Sequence, residues 1–427
     1  MKKLYLLVAL VFSCLGANAQ QDKCASMTLL DQQMQDANVA NRINMTRQAA
    51  AQWRAQHAGE VRSSSAPVVT IPVVVHVLYK TPSQNISNAQ VYSQIAILNQ
   101  DYRRLNPDTT NTPAVFDSIA ADINIEFCLA TIDPQGNPTD GITRTSTTGG
   151  QLFGFFSPLF EDAKYDSLGG KDAWPADKYL NIWVCEMIPG LLGYAQFPGG
   201  DPATDGVVIA YTAFGDIGTV AAPSTLGETT THEVGHWLGL FHIWGDDNDC
   251  IAGSDSIADT PNASVASASD CNVTLNSCAN EDPFWGSVDP PDMVQNYMDY
   301  SHDSCMNMFT EGQKARMYSF LYADPVRFGL FSSPGGCNGV GIVETAMFDH
   351  YFSVYPNPTD GIVNVNYFGT GSAAMTIDIL DITGKIVGSY TTNAYSYFID
   401  LSHLPAGMYT MKITGAEGTA TKKLILQ

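Results

Sequence analysis

The chain has 427 residues, too many for one ordinary domain and enough for two or three, each with its own core. Hydrophobic residues make up 45% and charged residues 15%, a globular composition that excludes a disordered protein. With 43 acidic residues against 21 basic ones the formal net charge is −22, which excludes a nucleic-acid partner because phosphate neutralisation needs basic patches.

Met1 to Ala19 reads as a secretory signal: Lys2 and Lys3 precede an apolar run from Leu4 to Leu15, and Ala17-Asn18-Ala19 offers small residues for cleavage before Gln20. Cys14 invites a lipoprotein reading, but Phe12 is bulky where a small residue is preferred two positions before a lipidated cysteine. No other stretch holds the 18 or so apolar residues of a membrane span, so none is expected. Residues 20–62 are polar and helix-compatible, with Met34 to Ala58 rich in Gln, Ala and Asn. They end at Val61-Arg62 before Ser63-Ser64-Ser65, which resembles a protease-sensitive link behind a propeptide. The alternative is an N-terminal helical decoration that is never removed.

The domain expected over residues 63–330 opens with Val68 to Tyr79, whose β-branched residues predict a central strand. Ser87 to Arg103 has helical periodicity behind a Ser or Asn cap, and strand followed by helix begins an α/β layer. Further strands are expected at Ile123 to Ala130, Tyr179 to Glu186 and Val207 to Tyr211, between Gly- and Pro-containing turns.

Three of the eight histidines follow in one stretch, His232-Glu233-Val234-Gly235-His236-Trp237-Leu238-Gly239-Leu240-Phe241-His242. At about 100° per residue, His232 and His236 lie roughly 40° apart on one helix face and can reach one ion. Thr225-Leu226-Gly227-Glu228 matches a capping box that would start this helix. Gly239 can take the left-handed conformation that ends it, so that His242 approaches the same metal from another direction. Three neutral nitrogens leave a fourth tetrahedral position open for a water, the mark of a catalytic zinc, and Glu233 is placed to take that water's proton. H-E-x-x-H alone is only moderately specific; the added glycine and third histidine sharpen it.

Many acids crowd between His242 and Met298: Asp246, Asp247, Asp249, Asp255, Asp259, Asp270 and Asp289. They offer hard oxygen ligands without enough basic partners, which points to calcium, with Asp255, Asp259 and Thr260 as first choices; the alternative is a loop of solvated acids. From Ser332 the run Ser-Ser-Pro-Gly-Gly-Cys-Asn-Gly reads as a linker, assigned to residues 331–342. Over 343–427 short alternating strands follow, Tyr351 to Tyr355, Ile362 to Tyr367, Met375 to Asp381, Lys385 to Tyr390, Tyr397 to Leu401, Gly407 to Thr414 and Thr419 to Leu426, as in a small β-sandwich.

The histidine motif, Asp259-Thr260-Pro261, Asn296-Tyr297-Met298-Asp299-Tyr300 and Cys305-Met306-Asn307-Met308-Phe309-Thr310 together resemble the pappalysin (cytophagalysin) metzincins over residues from about 68 to 325. Leu180-Asn181-Ile182-Trp183-Val184 looks like the strand these enzymes carry before the cleft. The resemblance implies an α+β fold: a metzincin-type catalytic domain of mixed twisted sheet and active-site helices, then a small all-β sandwich. It implies an active endopeptidase acting on protein or peptide substrates, with Met298 in a Met-turn as a hydrophobic floor beneath the zinc. Tyr300 would stand beside the metal and hydrogen-bond the tetrahedral oxyanion. The alternative makes Met298 core filler and Tyr300 a packing aromatic. The tail resembles the C-terminal sorting domain of type IX secretion substrates in Bacteroidota, carried by Val354-Tyr355-Pro356-Asn357-Pro358, Asp381-Ile382-Thr383-Gly384-Lys385, Leu404-Pro405-Ala406-Gly407-Met408-Tyr409 and Lys422-Lys423-Leu424-Ile425. That implies the type IX secretion machinery as a partner and a secreted or cell-surface product reached through the periplasm; such a sandwich could equally bind carbohydrate or protein.

Nine cysteines are present, and eight remain if the signal carrying Cys14 is removed. For Cys250, Cys271, Cys278 and Cys305, spacing alone allows three pairings, and the resemblance favours Cys250 with Cys278 and Cys271 with Cys305. Cys128 and Cys185 lie in predicted strands and read as buried small hydrophobes. Cys24 stands alone in the expected propeptide, where its thiolate could take the position the catalytic water needs, a latency switch that several metzincins use. The alternative is a disulfide, with Cys337 as partner.

Ser301-His302-Asp303-Ser304 follows Tyr300 directly and should line the pocket for the side chain just past the scissile bond. Asp303 would there face arginine in preference to lysine, since a carboxylate binds a guanidinium through two parallel hydrogen bonds. The competing reading has Asp303 binding calcium or capping the helix that begins near Thr310. The rival to a peptidase is an exported binding or adhesion protein that keeps a zinc-stabilised fold without turnover. Glu233 argues against it, because a binding module has no need of a carboxylate beside the metal. Helix-borne H-E-x-x-H with a Met-turn likewise points to peptide bonds over a zinc amidase or deacetylase.

Overall fold

The computed structural model of the chain describes residues 23–57, 68–147, 153, 161–246, 249–250, 254–267, 271–279, 283–333, 352–367, 374–394, 396–415 and 418–427. The expected signal segment 1–19, the Val61-Arg62 junction, the linker from 334 to 342 with Cys337, and the acids Asp247 and Asp270 lie outside these residues. Among the described residues no helix is long and apolar enough to cross a membrane.

The polar N-terminal stretch forms two helices, α1 (Ser26–Gln33) and α2 (Ala37–His57). Behind them β1 (Val69–Tyr79) is buried along nearly its whole length, which is why its sequence is continuously apolar and β-branched where a one-faced strand would alternate. α3 (Asn88–Tyr102) follows, its first turn held by Ser87 Oγ accepting from Gln90 N at 3.1 Å. The short α4 (Ala114–Asp117) leads to β2 (Ile125–Leu129) and β3 (Ile142–Ser146), which pair in parallel with successive halves of one edge of β1. On its other edge β1 pairs in parallel with β4 (Leu180–Cys185), and β5 (Gly193–Ala195) closes the sheet antiparallel to β6 (Val207–Ala210), giving the order β2-β1-β4-β6-β5. The four expected strands occur within one or two residues of their predicted ends. β3 and β5 were not expected, because Ile142-Thr143-Arg144-Thr145-Ser146 is mostly polar and β5 has only three residues, one of them glycine.

α5 (Glu228–Trp237) carries the first two histidines and starts differently from the expectation. The capping box from Thr225 does not form. Gly227 is the N-cap at φ +85°, a conformation that favours glycine, and a Cβ there would lie 2.7 Å from Ile97 Cδ1. The cap comes instead from far along the chain: Asp303 Oδ2 accepts from Leu226 N at 2.9 Å, and the Glu228 N–H also bonds this carboxylate. α6 (Glu311–Ala323) opens on a capping box between Thr310 and Gln313, and α7 (Pro325–Gly329) follows. α2 lies against α6, where Trp53 stacks on Tyr322 with ring centroids 5.0 Å apart.

Disulfides Cys250–Cys278 and Cys271–Cys305, with Cα separations of 5.4 and 5.3 Å, brace the acidic segment. Cys185 is buried and free, but Cys128 is disulfide-bonded, which corrects its reading as a simple hydrophobe. Its strand neighbours are apolar, so sequence pattern alone could not separate a packed thiol from a bonded one. Cys24 is a free thiol, so the alternative of a disulfide at Cys24 is not formed.

The C-terminal strands form two antiparallel sheets around a separate core. β7 (Phe352–Tyr355), β8 (Ile362–Tyr367) and β11 (Ser396–Asp400) make one; β9 (Met375–Leu380), β10 (Ile386–Thr392), β12 (Gly407–Gly415) and β13 (Gly418–Leu426) make the other. Alternate residues such as Val363, Val365, Ile377, Ile379, Met411 and Ile413 point into that core, the period-2 pattern the sequence displayed.

Candidate active site

His232 and His236 leave α5 one turn apart, and Gly239 at φ +91° reverses the chain after the helix. A Cβ on Gly239 would run into the Phe320 ring, so the reversal requires glycine twice over. It delivers His242 to the same point: the three Nε2 atoms lie 3.1, 3.1 and 3.2 Å apart. Each ring is oriented through its other nitrogen. His232 Nδ1 bonds Tyr297 O at 2.7 Å, His236 Nδ1 bonds Leu240 O at 2.8 Å, and His242 Nδ1 bonds Asp246 Oδ1 at 2.6 Å. Donating from Nδ1 turns three Nε2 lone pairs inward.

Burial pushes His232 down to about 3 and His236 well below the ordinary histidine range, so these rings are neutral. Three nitrogen lone pairs converging on one point repel unless a cation stands between them. Their spacing suits tetrahedral zinc, whose bonds to imidazole nitrogen run about 2.0–2.1 Å. The donor set therefore fits the metal that the motif implied. Sequence reading missed Asp246 as the partner of His242, having counted it only among the acids of a calcium loop; the signal was its place four residues beyond the third histidine.

Met298 is fully buried and sits against α5 at Gly235, where a Cβ would collide with the Met298 sulfur. The Met-turn is pinned from α6 by a two-way amide pair, Asn296 with Gln313, at 2.8 and 2.9 Å. Tyr300 stands beside the histidines, its ring centroid 4.9 Å from His242 and 5.9 Å from His232, and its hydroxyl donates to Cys24 O at 3.4 Å.

Glu233 is buried next to β5, where a Cβ on Gly193 would meet Glu233 Cγ at 2.8 Å. Burial pushes its carboxyl up to about 8 against hydrogen bonds that oppose the shift. Those bonds come from the N-terminal segment: Ser26 Oγ at 2.7 Å and Cys24 Sγ at 3.4 Å, both to Oε2. Residues 23–26 lie along β5 like an added strand. Leu192 N donates to Lys23 O at 2.7 Å, Ala25 N to Gly193 O at 3.1 Å and Ala195 N to Ser26 Oγ at 2.7 Å. Cys24 Sγ and the three histidine nitrogens all lie within 4.8 Å of one another. Lys23 and Ser26 had no signal of their own in the sequence, because both act on groups more than 200 residues away.

Asp303 and Lys23 line one cavity beside the histidines, together with Glu228, Asp299 and Ser301. Asp303 caps α5, and the helix at Thr310 is served by Asp259 instead: Asp259 Oδ1 accepts from Thr310 Oγ1 and Oδ2 from Gly312 N, both at 2.7 Å. Asp255 Oδ1 accepts from Thr260 Oγ1 at 2.8 Å and Ile257 N at 2.9 Å, while its buried Oδ2 has no hydrogen-bond partner among the described residues. Asp255, Asp259 and Thr260 are thus buried neighbours tied into the fold and not solvated acids of an open loop.

Two imidazoles from α5 and a third from beyond the reversal at Gly239, with the buried Glu233 between the first two in sequence and the buried Met298 against the helix, are the site of a metzincin-type zinc metalloendopeptidase. Residues 164–322 match the peptidase family described as pregnancy-associated plasma protein-A, and residues 353–427 match the secretion system C-terminal sorting domain. An extracellular metalloprotease of Colletotrichum graminicola is 31% identical over 274 residues, covering 60% of this chain and 78% of its own length. Tannerella forsythia mature mirolysin, solved in complex with a cleaved peptide, is 47% identical at a TM-score of 0.56, covering 62% of this chain and 96% of its own. A promirolysin variant from the same organism is 41% identical at a TM-score of 0.58, covering 72% and 97%. The chain belongs to the pregnancy-associated plasma protein-A family of metallopeptidases, the pappalysins, and carries a sorting domain that marks it as a secreted or cell-surface protein.

Proposed function

We propose that this endopeptidase works through Glu233 as general base, holds zinc with His232, His236 and His242, and is made as a latent precursor. The observation that carries the reading is the meeting of three inward-facing Nε2 atoms, with Cys24 Sγ both within 4.8 Å of the histidine nitrogens and 3.4 Å from the buried Glu233 carboxylate. Zinc held there supplies a Lewis acid that makes water a nucleophile near neutral pH. As the water oxygen adds to the scissile carbonyl carbon, Glu233 Oε2 takes its proton. The Tyr300 hydroxyl donates a hydrogen bond to the oxyanion as it forms. When the carbon–nitrogen bond breaks, Glu233 returns the proton to the leaving nitrogen.

The division proposed is a signal at 1–19, a propeptide at 20–62, the catalytic domain at 63–330, a linker at 331–342 and the sorting domain at 343–427. Latency is supported by Cys24 beside the histidine nitrogens and Ser26 on Glu233, since both groups the reaction needs are engaged by the N-terminal segment. A precursor form of the relative mirolysin has been solved, in keeping with a precursor here. A preference for Arg or Lys just past the scissile bond is supported by Lys23: its ammonium lies in the cavity, lowered by burial but favoured by the charges of Asp303 and Asp299. Structural calcium is proposed near Asp255, Asp259 and Thr260, supported by the orphaned Asp255 Oδ2.

The test is cleavage of a peptide library by the full chain after limited proteolysis of its N-terminal segment, beside its Glu233→Ala variant. The variant should retain zinc and fold while losing activity by several orders of magnitude. Activity within about tenfold of the parent would refute Glu233 as base.

A further inference from the structure

The buried stripe of α3 carries polar side chains where an amphipathic helix places apolar ones. Gln90, Gln94 and Asp101 fall within about 40° of one another at about 100° per residue, and all three are buried. Polar groups buried this deeply need partners, and Gln94 and Asp101 find them on the elements that carry the metal site. Gln94 Oε1 accepts from Thr230 Oγ1 at 2.8 Å and its Nε2 donates to Gly227 O at 3.0 Å, securing the first turn of α5. Asp101 serves two elements at once. Its Oδ2 accepts from Thr231 Oγ1 at 2.5 Å, next along the chain to His232, and its Oδ1 accepts from the Tyr297 hydroxyl at 3.0 Å. Tyr297 is the residue whose carbonyl receives His232 Nδ1 at 2.7 Å. The Tyr102 hydroxyl donates to Thr231 O at 3.1 Å, and Glu228 is hydrogen-bonded to the Asp101 carboxyl.

We infer that Asp101 is a positioning residue for the metal site, setting His232 by holding both the helix turn that carries the ring and the carbonyl that orients it. The inference rests on the zinc reading proposed above and says what keeps one of its ligands in place. The ring of His232 is fixed at two points, at its Cα by α5 and at Nδ1 by Tyr297 O. One carboxyl can govern both, because each of its oxygens takes one hydroxyl donor. Without it the buried hydroxyls of Thr231 and Tyr297 lose their acceptor, and the Tyr297 ring keeps only contacts such as Phe309, 4.8 Å away between centroids. The Tyr297 carbonyl then shifts with its side chain, and His232 shifts with the carbonyl. A metal-binding imidazole whose outer hydrogen bond is disturbed holds its ion less tightly.

The experiment uses the full chain, its N-terminal segment released by limited proteolysis, and reads zinc affinity by chelator competition together with the visible absorption of the cobalt(II)-loaded form, which reports the arrangement of the ligands. Asp101→Ala should alter the cobalt band and weaken zinc binding by about 10- to 100-fold, and with saturating zinc kcat should fall while KM for a peptide holds. Tyr297→Phe keeps the carbonyl and removes one arm, so it should alter the band and weaken zinc in the same sense. If both act along one route, the double variant binds zinc within about threefold of the weaker single one. Leu98→Ala opens a cavity on the same helix and leaves the hydrogen bonds of Asp101 in place; it should lower the melting temperature and leave band and affinity as in the parent. Parental band and affinity in Asp101→Ala overturn the inference. So do equal changes in Leu98→Ala, which make Asp101 ordinary packing, or additive losses in the double variant, which separate Asp101 from Tyr297. Should Asp101→Ala fail to fold, Tyr297→Phe decides alone, and parental affinity there overturns the inference. A parent with no visible cobalt band overturns the zinc reading and this inference together.

Discussion

Each imidazole of the metal site is oriented by a different partner, and only one of the three can be removed by mutation. Tyr297 and Leu240 offer backbone carbonyls, but His242 depends on the Asp246 side chain, held at φ +63°, a strained setting for a residue other than glycine. Asp246→Ala should therefore lower zinc affinity by about 10- to 100-fold with the fold intact, as measured by chelator competition alongside circular dichroism. Unchanged affinity would make the contact incidental. The ligands themselves were legible because their spacing is local; the partner of each Nδ1 was not, because two are main-chain atoms that any residue could provide.

Among the secondary-structure elements, β1 carries a buried polar group at the centre of the sheet. His76 bonds Thr143 Oγ1 at 2.7 Å and Asn181 Oδ1 at 3.1 Å, and burial pushes it down to about 4. Unfolded, the ring takes a proton as pH falls below about 6.5, while the folded ring resists until about 4. The stability this contributes is present above that window and is lost as pH falls from about 6.5 to about 4, by up to roughly 3 kcal/mol. Urea unfolding of the zinc-loaded chain and its His76→Gln variant at pH 7 and pH 4.5 isolates the effect, since acid release of zinc affects both alike. An identical loss in the two would remove His76 from the account. Strand β1 was legible from composition, whereas the start of α5 was not: the expected cap at Thr225 is local, but Asp303, some 75 residues later, wins the position because Gly227 bends the chain toward it.

The proposed latency belongs to the scale of the whole molecule, since the N-terminal segment reaches Glu233 through Cys24 and Ser26. α2 packs on α6, and the Arg47 and Arg316 guanidiniums lie over the Phe241 ring at 5.5 and 4.5 Å, so the segment is anchored well away from the cleft it crosses. The unprocessed Cys24→Ala chain should show at least about tenfold more peptidase activity than its parent, and adding Ser26→Ala should raise it further by freeing Glu233. A Cys24→Ala precursor as inactive as the parent would sink the thiol's part in latency. Calcium belongs to the same scale, since the segment from Cys250 to Cys305 joins the cleft to α6. After chelation, excess calcium should raise the melting temperature by several degrees, and Asp255→Asn should abolish the rise. A melting temperature indifferent to calcium would leave Asp255 a buried structural acid.

What the sequence determined by itself was whatever depends on neighbours along the chain. Two histidines one turn apart with glutamate between them, a glycine able to reverse the helix, a continuously apolar central strand and the alternating strands of the C-terminal sandwich are all local patterns, because helix and strand periodicities are set by the backbone. The family resemblance added the Met-turn and the disulfide pairing, which spacing left open. Only the tertiary structure decided the contacts made across long separations. Cys24 and Ser26 reach Glu233, Asp303 caps the helix of the histidines, and Glu228 is buried against Asp101. Such pairings follow from how buried surfaces close on one another, and a polar side chain that is solvated in one packing becomes a cap, a lock or a buried acid in another.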